Sequence, residues 1–539
     1  MTKLVKLLGA VLALFISQAV FAEAPGSRQV MVLAINDVYR LDNLPYVRTL
    51  RKKMEEQHGD VLLLHAGDFL FPSLLSRRFN GEQMIDLLNY LDGDADSFDP
   101  HMFIVFGNHE FDKRRLKHAS MLQNRITESQ FTWLNSNVIF RNISQGRPLV
   151  QAQQMLPKRM VEVNGIQVGL LGVVTDVSKP EYVDKFLVPE QALRQGVLSL
   201  RNQGAEVVIA LTHLRMSRDK ELLQSLGKDA PDLIIGGHEH DRQTALVNGR
   251  RIVKADADAV TAAIVQINLD GKGRGGAPKV ELEFVEMPKG HTADKEMVQR
   301  ITEWKRQFDS AYCQELNEQP GCLDRPLGKT KVQLHAEELR IRRFETNLGN
   351  WLADLARKRF TDKGAQIALL NSGGMRLNQN IPAGSVISRK QISTLFAYPT
   401  RLVQIKLTGA QLQQVLSHSV SDWTGNGHWL QVSGLAFRHD PDKEKADKIH
   451  LVSESGLKPI APEDELNVVV NDFLIDSNGN RDGYIMLNEA LLLDPKAQRP
   501  DLRDVVIKSL QEAGKQGISP KLDGRICNVR DRQECMLDR

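Results

Sequence analysis

The chain of 539 residues is too long for one hydrophobic core, so its length predicts two or three domains. Hydrophobic residues make up 42% and charged residues 25% of it, as is usual for a soluble globular protein. The net charge is +3, with acidic and basic residues interspersed, which argues against a nucleic-acid polymer as partner.

The first 22 residues have the pattern of a secretory signal peptide. Lys3 and Lys6 precede the apolar run LLGAVLALFI, and the small residues Val20 and Ala22 suit the −3 and −1 positions of a cleavage site. This run is too short to span a bilayer comfortably, and no later run approaches that length. We therefore expect cleavage after Ala22, or after Ala24, and a periplasmic or secreted protein without a membrane span.

From residue 28 to about 290, short β-rich segments alternate with helical patterns, which predicts an α/β layered fold. The predicted strands are VMVLAI, DVLLLHAGD, MFIVFGN, IQVGLLGVV, AEVVIALTH and DLIIGGH. Five polar residues stand at the ends of such strands: Asp37, Asp68, Asn108, His213 and His238. So many at the same end of successive strands predict a functional site.

Residues 291–325 are predicted to connect two domains, because a helical pattern over residues 294–316 is followed by a loop that contains Cys313 and Cys322. Cys527 and Cys535 bracket the C-terminal tail. Four cysteines can pair in three ways, of which the simplest joins Cys313 to Cys322 and Cys527 to Cys535. Disulfides would agree with an oxidising compartment. Residues 326–539 are predicted to form a second α/β or α+β domain with the Gly-rich segments NSGGMR, TGNGHWLQVSGL and DSNGNRDGY.

The segment FGNHEFD, residues 106–112, is the central motif. It accompanies AGDF with Asp68, LTH with His213, and GGHEH with His238 and His240. Oxygen and imidazole ligands in this mixture suit zinc, manganese, iron or cobalt. A shared carboxylate, an amide oxygen and several histidines are what a two-metal hydrolase needs, with the aspartate bridging cations about 3.5–4 Å apart. The sequence therefore predicts two divalent metal ions as cofactors.

The order of these motifs resembles that of the calcineurin-like metallophosphoesterases. The later segments ETNLGNWLADL, NSGGMR and LQVSGL narrow the resemblance to the two-domain 5′-nucleotidase family, which includes periplasmic UDP-sugar hydrolases. The resemblance covers nearly all of the chain after the signal peptide. It implies a four-layer α/β/β/α sandwich in residues 28–290, a linker helix, and a substrate-binding α/β domain in residues 326–539.

The resemblance also implies a role for each motif residue. The first metal ion would be held by Asp37, Asp68 and His240. The second would be held by Asp68, Asn108, His213 and His238, with Asp68 as the bridge. His109 would face the substrate phosphate and stabilise the transition state, and Asp112 would orient His109 and favour its charged form.

Tyr39 stands where the family normally has a histidine ligand of the first metal ion. In one interpretation Tyr39 binds the metal as a phenolate, as tyrosine does in the related purple acid phosphatases. In the other it fills space and water completes the coordination, which the phenol pKa of about 10 favours. A degenerate, inactive site is the third interpretation, but the retention of all other ligands argues against it.

The second domain resembles the family's substrate-binding domain. Gly373 and Gly374 would allow close backbone approach, and Arg376 would contact the phosphate. The resemblance implies that the base stacks between the rings of Trp429 and Phe473. It implies that the Asp482 carboxylate binds the ribose hydroxyls. Core packing is the alternative for both rings. A second family arginine, expected near residues 421–422, is absent, and Arg401 is the candidate substitute.

These observations together predict an exported di-metal phosphohydrolase that acts on nucleotides, of the 5′-nucleotidase or UDP-sugar hydrolase type. Three alternatives use the same scaffold: a 2′,3′-cyclic-nucleotide phosphodiesterase with 3′-nucleotidase activity, a thiosulfohydrolase, and a nucleotide-binding protein with a degenerate site. The sequence indicates no oligomeric state.

Overall fold

The computed structural model describes residues 28–141, 154–272, 278–476 except 422, 424 and 426, 482–530 and 535–538. The predicted signal peptide therefore lies outside the described residues. Over those ranges, every helix is too short or too polar to cross a membrane.

A seven-stranded sheet forms the centre of the first half. Its central strands are buried along their whole length and parallel to one another, which explains their nearly continuous apolar sequences. In spatial order the strands are Pro278–Glu286, Thr261–Lys272, Gln29–Ile35, Val61–His65, Met102–Val105, Thr132–Leu134 and Met155–Leu156. Only the pairings that involve Thr261–Lys272 are antiparallel.

A six-stranded sheet packs face to face on the first. Its strands, in spatial order, are Gln243–Val247, Arg250–Lys254, Leu233–Gly236, Val207–His213, Ile166–Val174 and Lys158–Val163. One apolar cluster joins Val32 and Leu64 of the first sheet to Ile209 and Leu211 of the second. Separate clusters pack helices on the outer faces: Leu44–His58, Glu82–Asn89, Ala119–Glu128 and Lys295–Glu315 on the first sheet, Pro189–Asn202 and Met216–Leu226 on the second. The predicted four-layer sandwich is confirmed.

The second domain contains two four-stranded sheets, which share one apolar cluster, and a further cluster packs helices on the first of them. One has the strands Leu402–Thr408, Glu465–Asn471, Ile367–Asn371 and Leu430–Ser433, and the other Gly456–Pro459, Lys445–Ser453, Leu435–Asp440 and Ile526–Asn528. Its helices are Glu338–Ile341, Asn347–Lys358, Arg389–Leu395, Gly409–Val420 and Leu502–Ala513. Pro326–Lys329 pairs with Val386–Ser388 in a two-stranded sheet of this domain. The first domain also contains the strand pair Val138–Phe140 and Val183–Phe186 and the helix Leu74–Phe79. The second α/β domain is thus also confirmed.

The predicted linker helix spans Lys295–Glu315, and the Asp294 side chain caps it by accepting a hydrogen bond from the Met297 amide. Disulfides join Cys313 to Cys322 and Cys527 to Cys535, which confirms the two local pairings. The division of the chain at residues 290 and 325 stays a prediction.

Lys254, at the end of a second-sheet strand, connects the loops that follow two neighbouring strands. Its side chain is fully buried, and Nζ donates to the carbonyl oxygens of Leu214 at 2.6 Å and Gly237 at 2.9 Å. The charge is balanced by Glu239 at 2.5 Å and Asp219 at 3.0 Å. One cation therefore fixes the two loops that carry the predicted histidine ligands.

We expect Lys254→Met to lower the free energy of unfolding by about 3–5 kcal/mol, because Asp219 would stay buried without its cation. Urea denaturation followed by circular dichroism measures this loss. Lys220→Met, on the exposed face of the same helix as Asp219, is the control and should change stability by less than about 0.5 kcal/mol. Equal effects of the two substitutions would contradict the role given to Lys254.

Candidate active site

The predicted ligands meet where the carboxyl ends of the two sheets adjoin. Asp37 and Asp68 follow strands of the first sheet, and His213 ends a strand of the second. All three are buried, and one donor atom of each lies within 4.8 Å of the others. His213 Nε2 is 3.1 Å from Asp68 Oδ2 and 4.0 Å from Asp37 Oδ1. Two carboxylates and an imidazole this close form a donor set suited to a divalent cation.

The orientation of His213 supports this fit. Its Nδ1–H donates to the carbonyl oxygen of Ala66 at 2.7 Å, so the lone pair of the neutral ring is on Nε2. Nε2 is buried and faces the carboxylate of a second predicted ligand, 3.1 Å from Asp68 Oδ2. A buried imidazole nitrogen of this kind, fixed by a bond from the opposite nitrogen, is the usual arrangement of a metal-ligating histidine.

A second group of donor atoms surrounds the hydroxyl of Tyr39. The hydroxyl is placed to donate a hydrogen bond to Asp68 Oδ2 at 3.1 Å or Asp37 Oδ1 at 3.3 Å, and its oxygen lies 3.3 Å from His240 Nε2. His240 Nε2 is 3.6 Å from Asp37 Oδ1. Donors that share one ion at about 2.1 Å are roughly 3.0–3.5 Å apart, so this spacing fits a common ion.

Asn108 and His238 approach the cluster from opposite sheets. His238 Nδ1 lies 2.9 Å from Asn108 Oδ1, and the His238 ring stands 5.2 Å from that of His213. The His238 amide also donates to Asp37 Oδ2 at 2.9 Å. The structure therefore brings all six predicted metal ligands to one place.

Three of these six residues have a left-handed backbone conformation: Asp37 at φ 52°, Asp68 at φ 60° and His238 at φ 84°. Such conformations cost of order 1–3 kcal/mol each and concentrate at functional sites. Neighbouring glycines make room for them, because a Cβ at Gly107 would overlap the Asp68 carboxylate, and one at Gly237 would be 2.5 Å from the Ala66 oxygen. This packing explains why glycine precedes Asn108 in the motif GNHE and His238 in the motif GGHEH.

The buried carboxylates of Asp37 and Asp68 favour a positive charge beside them. Burial raises the pKa of Asp37, whereas His213 and His109 lower the pKa of Asp68 against the effect of its burial. Although burial opposes it, the two carboxylates raise the pKa of His213 to about 10. The imidazolium thus balances the carboxylates in the metal-free protein, and a bound cation would take its place.

His109 and Asp112 form the predicted pair beside the cluster. His109 Nδ1–H donates to Asp112 Oδ2 at 3.0 Å, and Nε2 points toward Asp68, 3.9 Å from Oδ2. Burial lowers the pKa of His109, but Asp112 and Asp68 outweigh it and raise the pKa overall. The hydroxyl of Tyr398 in the second domain donates to the same Asp112 oxygen at 2.8 Å. No pattern in the sequence indicates this contact between the two domains.

Glu110 fixes the loops that carry Asp68 and Asn108. Its buried carboxylate accepts hydrogen bonds from the amides of Gly107 at 2.5 Å, Asp68 at 2.9 Å and Phe69 at 2.8 Å. Burial and the nearby Asp68 raise its pKa to about 7. The motif GNHE contains this residue, but its spacing alone does not reveal a structural role.

Arg376 approaches the site from the second domain, with Nη1 3.4 Å from Glu338 Oε1. The second guanidinium beside it is that of Arg342, which donates to the same oxygen at 2.8 Å. Arg401, the substitute suggested by the sequence, is exposed. Arg342 follows Glu338 by one helical turn, and the role suggested for Arg401 stays a prediction.

The base-stacking prediction for Trp429 is wrong for this conformation. Its side chain is 1% exposed, lies in the core of the second domain and packs against His439, so neither indole face is free for a base. Its carbonyl accepts hydrogen bonds from Ser372, which precedes Gly373 and Gly374. Core packing, the alternative interpretation, is the observed one.

Phe473 and Asp482 differ from Trp429 in exposure, because both are only partly buried. Asp482 Oδ2 accepts a hydrogen bond from Asn371 at 2.7 Å, and Asn371 is both the last residue of a strand and the first of the NSGGMR segment. The Gly373 amide donates to Gly427 at 2.9 Å. The strand end, the glycine segment and Asp482 are thus adjacent, as a substrate site would require.

Comparisons with known proteins agree with this geometry. Residues 30–242 match the family described as calcineurin-like phosphoesterase, and residues 326–489 match the 5′-nucleotidase C-terminal domain. The chain belongs to the two-domain 5′-nucleotidase family. Members of this family are metal-dependent hydrolases, and the membership supports nucleotide phosphohydrolase activity.

Two similar proteins show how far their sequences have diverged from that of this chain. The trifunctional nucleotide phosphoesterase protein YfkN of Bacillus subtilis is 25% identical over 92% of this chain, which spans only 35% of that protein. The snake venom 5′-nucleotidase of Gloydius brevicauda is 25% identical over 81% of this chain and 76% of its own. A Thermus thermophilus 5′-nucleotidase precursor structure has a TM-score of 0.75 at 22% identity, covering 94% of this chain and all of that one, and confirms the fold.

We expect Mn²⁺ to stabilise the protein, because a cation would neutralise Asp37 and Asp68 in the folded state only. At a concentration one hundred times its dissociation constant, one bound ion adds about 2.7 kcal/mol to the free energy of unfolding. Differential scanning fluorimetry with and without Mn²⁺, after treatment with chelator, measures the shift. Asp68→Asn should abolish most of it, and an equal shift in that variant would contradict binding at this cluster.

Proposed function

We propose that this chain is an exported di-metal phosphohydrolase that removes phosphate from nucleotides, of the 5′-nucleotidase type. The observation that carries the proposal is the buried cluster of Asp37, Asp68 and His213 beside the pair of His109 and Asp112. Family membership supports a nucleotide as substrate.

The site would hold two divalent ions, each of zinc, manganese, iron or cobalt. Asp37, Asp68 and His240 would hold the first, and the second would be held by Asp68 with Asn108, His213 and His238. Two bound ions would supply a hydroxide near neutral pH and neutralise phosphoryl oxygens for in-line displacement.

Residues of both domains would position the substrate and move the proton. Arg376 and Arg342 would bind the phosphoryl oxygens with planar guanidinium groups. His109, held by Asp112, would donate its Nε2 proton to the leaving oxygen, so that the nucleoside departs as a neutral alcohol. Asp112 would keep the ring in that orientation. Phe473 would lie against the base and Asp482 would accept hydrogen bonds from the ribose hydroxyls.

Tyr39 would donate its oxygen to the first metal ion. The sequence favoured a space-filling role because of the high phenol pKa, and burial, Asp68 and Asp37 raise that pKa further in the metal-free protein. The hydroxyl oxygen nevertheless lies 3.1–3.3 Å from donor atoms of Asp68, Asp37 and His240, a spacing that suits atoms bound to the same ion. A bound cation would lower the raised pKa of Tyr39.

Export would follow from cleavage of the N-terminal segment after Ala22. The two disulfides support this part of the proposal, because such bonds persist in oxidising compartments. Mass spectrometry of the protein isolated from its own host would identify the mature N-terminus.

Asp112→Asn should lower kcat for a 5′-nucleotide about 10²–10⁴-fold with little change in KM, because the amide no longer favours the charged form of His109. Steady-state assays of 5′-AMP hydrolysis measure both constants. Asp60→Asn replaces an exposed carboxylate at the amino end of the strand Val61–His65, the end opposite Asp68, and serves as the control. Unchanged kcat in the Asp112 variant would contradict the proposed proton transfer.

The preferred ester is tested by a panel of substrates: 5′-AMP, 3′-AMP, 2′,3′-cyclic AMP and UDP-glucose. We expect the highest kcat/KM with 5′-AMP. The name of the Bacillus relative, a trifunctional nucleotide phosphoesterase, favours the cyclic and 3′ substrates as the second candidate. Hydrolysis of none of the four by protein loaded with metal would contradict nucleotide phosphohydrolase activity.

Tyr39→Phe should weaken binding of one metal ion about tenfold, because it removes one donor oxygen and keeps the ring. Tyr39→His should bind that metal ion more tightly than Tyr39→Phe does, because the imidazole supplies a donor atom in place of the lost oxygen. Isothermal titration with Mn²⁺ distinguishes these outcomes. Two unchanged affinities in Tyr39→Phe would favour the space-filling interpretation.

A further inference from the structure

We propose that Glu338 of the second domain is a positioning residue for His240, and that through His240 it sets the affinity of the first metal site. The proposal rests on the proposed di-metal function and adds a requirement to it. The metal site of one domain would be completed by a carboxylate from the other.

The contact between the two residues is direct. Glu338 Oε2 lies 2.5 Å from His240 Nδ1, across 98 residues of sequence. Both side chains are nearly buried, at 6% and 9% exposure, so little water competes for the bond. The carboxylate accepts the Nδ1 proton, which leaves the lone pair of the ring on Nε2. That atom is the one that faces Asp37 and Tyr39.

The position of the Glu338 carboxylate is itself fixed. Its other oxygen accepts a hydrogen bond from Arg342 at 2.8 Å and lies 3.4 Å from Arg376. Its backbone amide donates to Asn378 Oδ1 at 3.0 Å. A carboxylate held on both sides can fix the tautomer and the ring orientation of a ligating histidine and raise its basicity.

The same arrangement allows a competing role. In the competing role, Glu338 only balances the charges of Arg342 and Arg376, and its removal alters phosphate binding and leaves metal binding unchanged. The two roles therefore predict changes in different measured quantities, and one substitution separates them.

The experiment is Mn²⁺ titration of the full-length protein by isothermal calorimetry, comparing wild type, Glu338→Gln and Glu337→Gln. Glu337 is the adjacent exposed carboxylate and supplies the matched control. We expect Glu338→Gln to weaken one of two Mn²⁺ sites about 10–100-fold. The other site, and both sites of Glu337→Gln, should keep the wild-type affinity.

A double-mutant cycle tests whether the effect passes through His240. In a His240→Ala background, Glu338→Gln should cause no further loss of Mn²⁺ affinity, because the group it positions is gone. A further loss equal to that seen in wild type would overturn the proposal.

Two other results have distinct meanings. If Glu338→Gln keeps both Mn²⁺ affinities and changes only inhibition by inorganic phosphate, Glu338 acts through the arginines and the proposal is overturned. If wild type binds no Mn²⁺ at either site, the proposed di-metal function fails first. Should the Gln variant not fold, Glu338→Asp keeps the charge but retracts it from His240, and the same weakening of one site is expected.

Discussion

The hydrogen bond from His213 to the carbonyl of Ala66 joins the carboxyl ends of the two sheets, and the geometry of the site depends on it. It links the last residue of a second-sheet strand to the loop that delivers Asp68. With Nδ1 occupied, the remaining nitrogen of the ring faces the carboxylates. The face-to-face packing of the sheets therefore does more than bury apolar surface, because it sets the distance between donor atoms of different strands.

Around this link, several of the predicted ligands and their loops are held by residues outside the ligand set. Glu110 accepts the amides of the loop that contains Asp68, and Lys254 holds the two loops that carry the histidines. The second domain continues the same arrangement, with Tyr398 on Asp112 and Glu338 on His240.

Five of the six predicted ligands could be placed together from the sequence because they follow strands, and parallel strands bring their carboxyl ends to one edge. His240 was predicted instead from the motif GGHEH and the family resemblance. The partners from the second domain could not be predicted, since no local spacing connects Glu338 or Tyr398 to residues in another domain. Trp429 shows a different limit. Its motif suggested a substrate contact, but whether an aromatic ring faces a cleft or a core is decided by packing that the sequence pattern does not record.

The left-handed backbone at Asp37, Asp68 and His238 has an evolutionary consequence. Glycine would adopt these angles without strain, and at Asp37, whose pKa is raised by burial, it would also remove a buried negative charge. The metal-free fold would therefore gain stability from substitutions that destroy the site. Selection for a robust fold and selection for function oppose each other at these positions, so drift in a lineage that no longer needs the activity should erase them early.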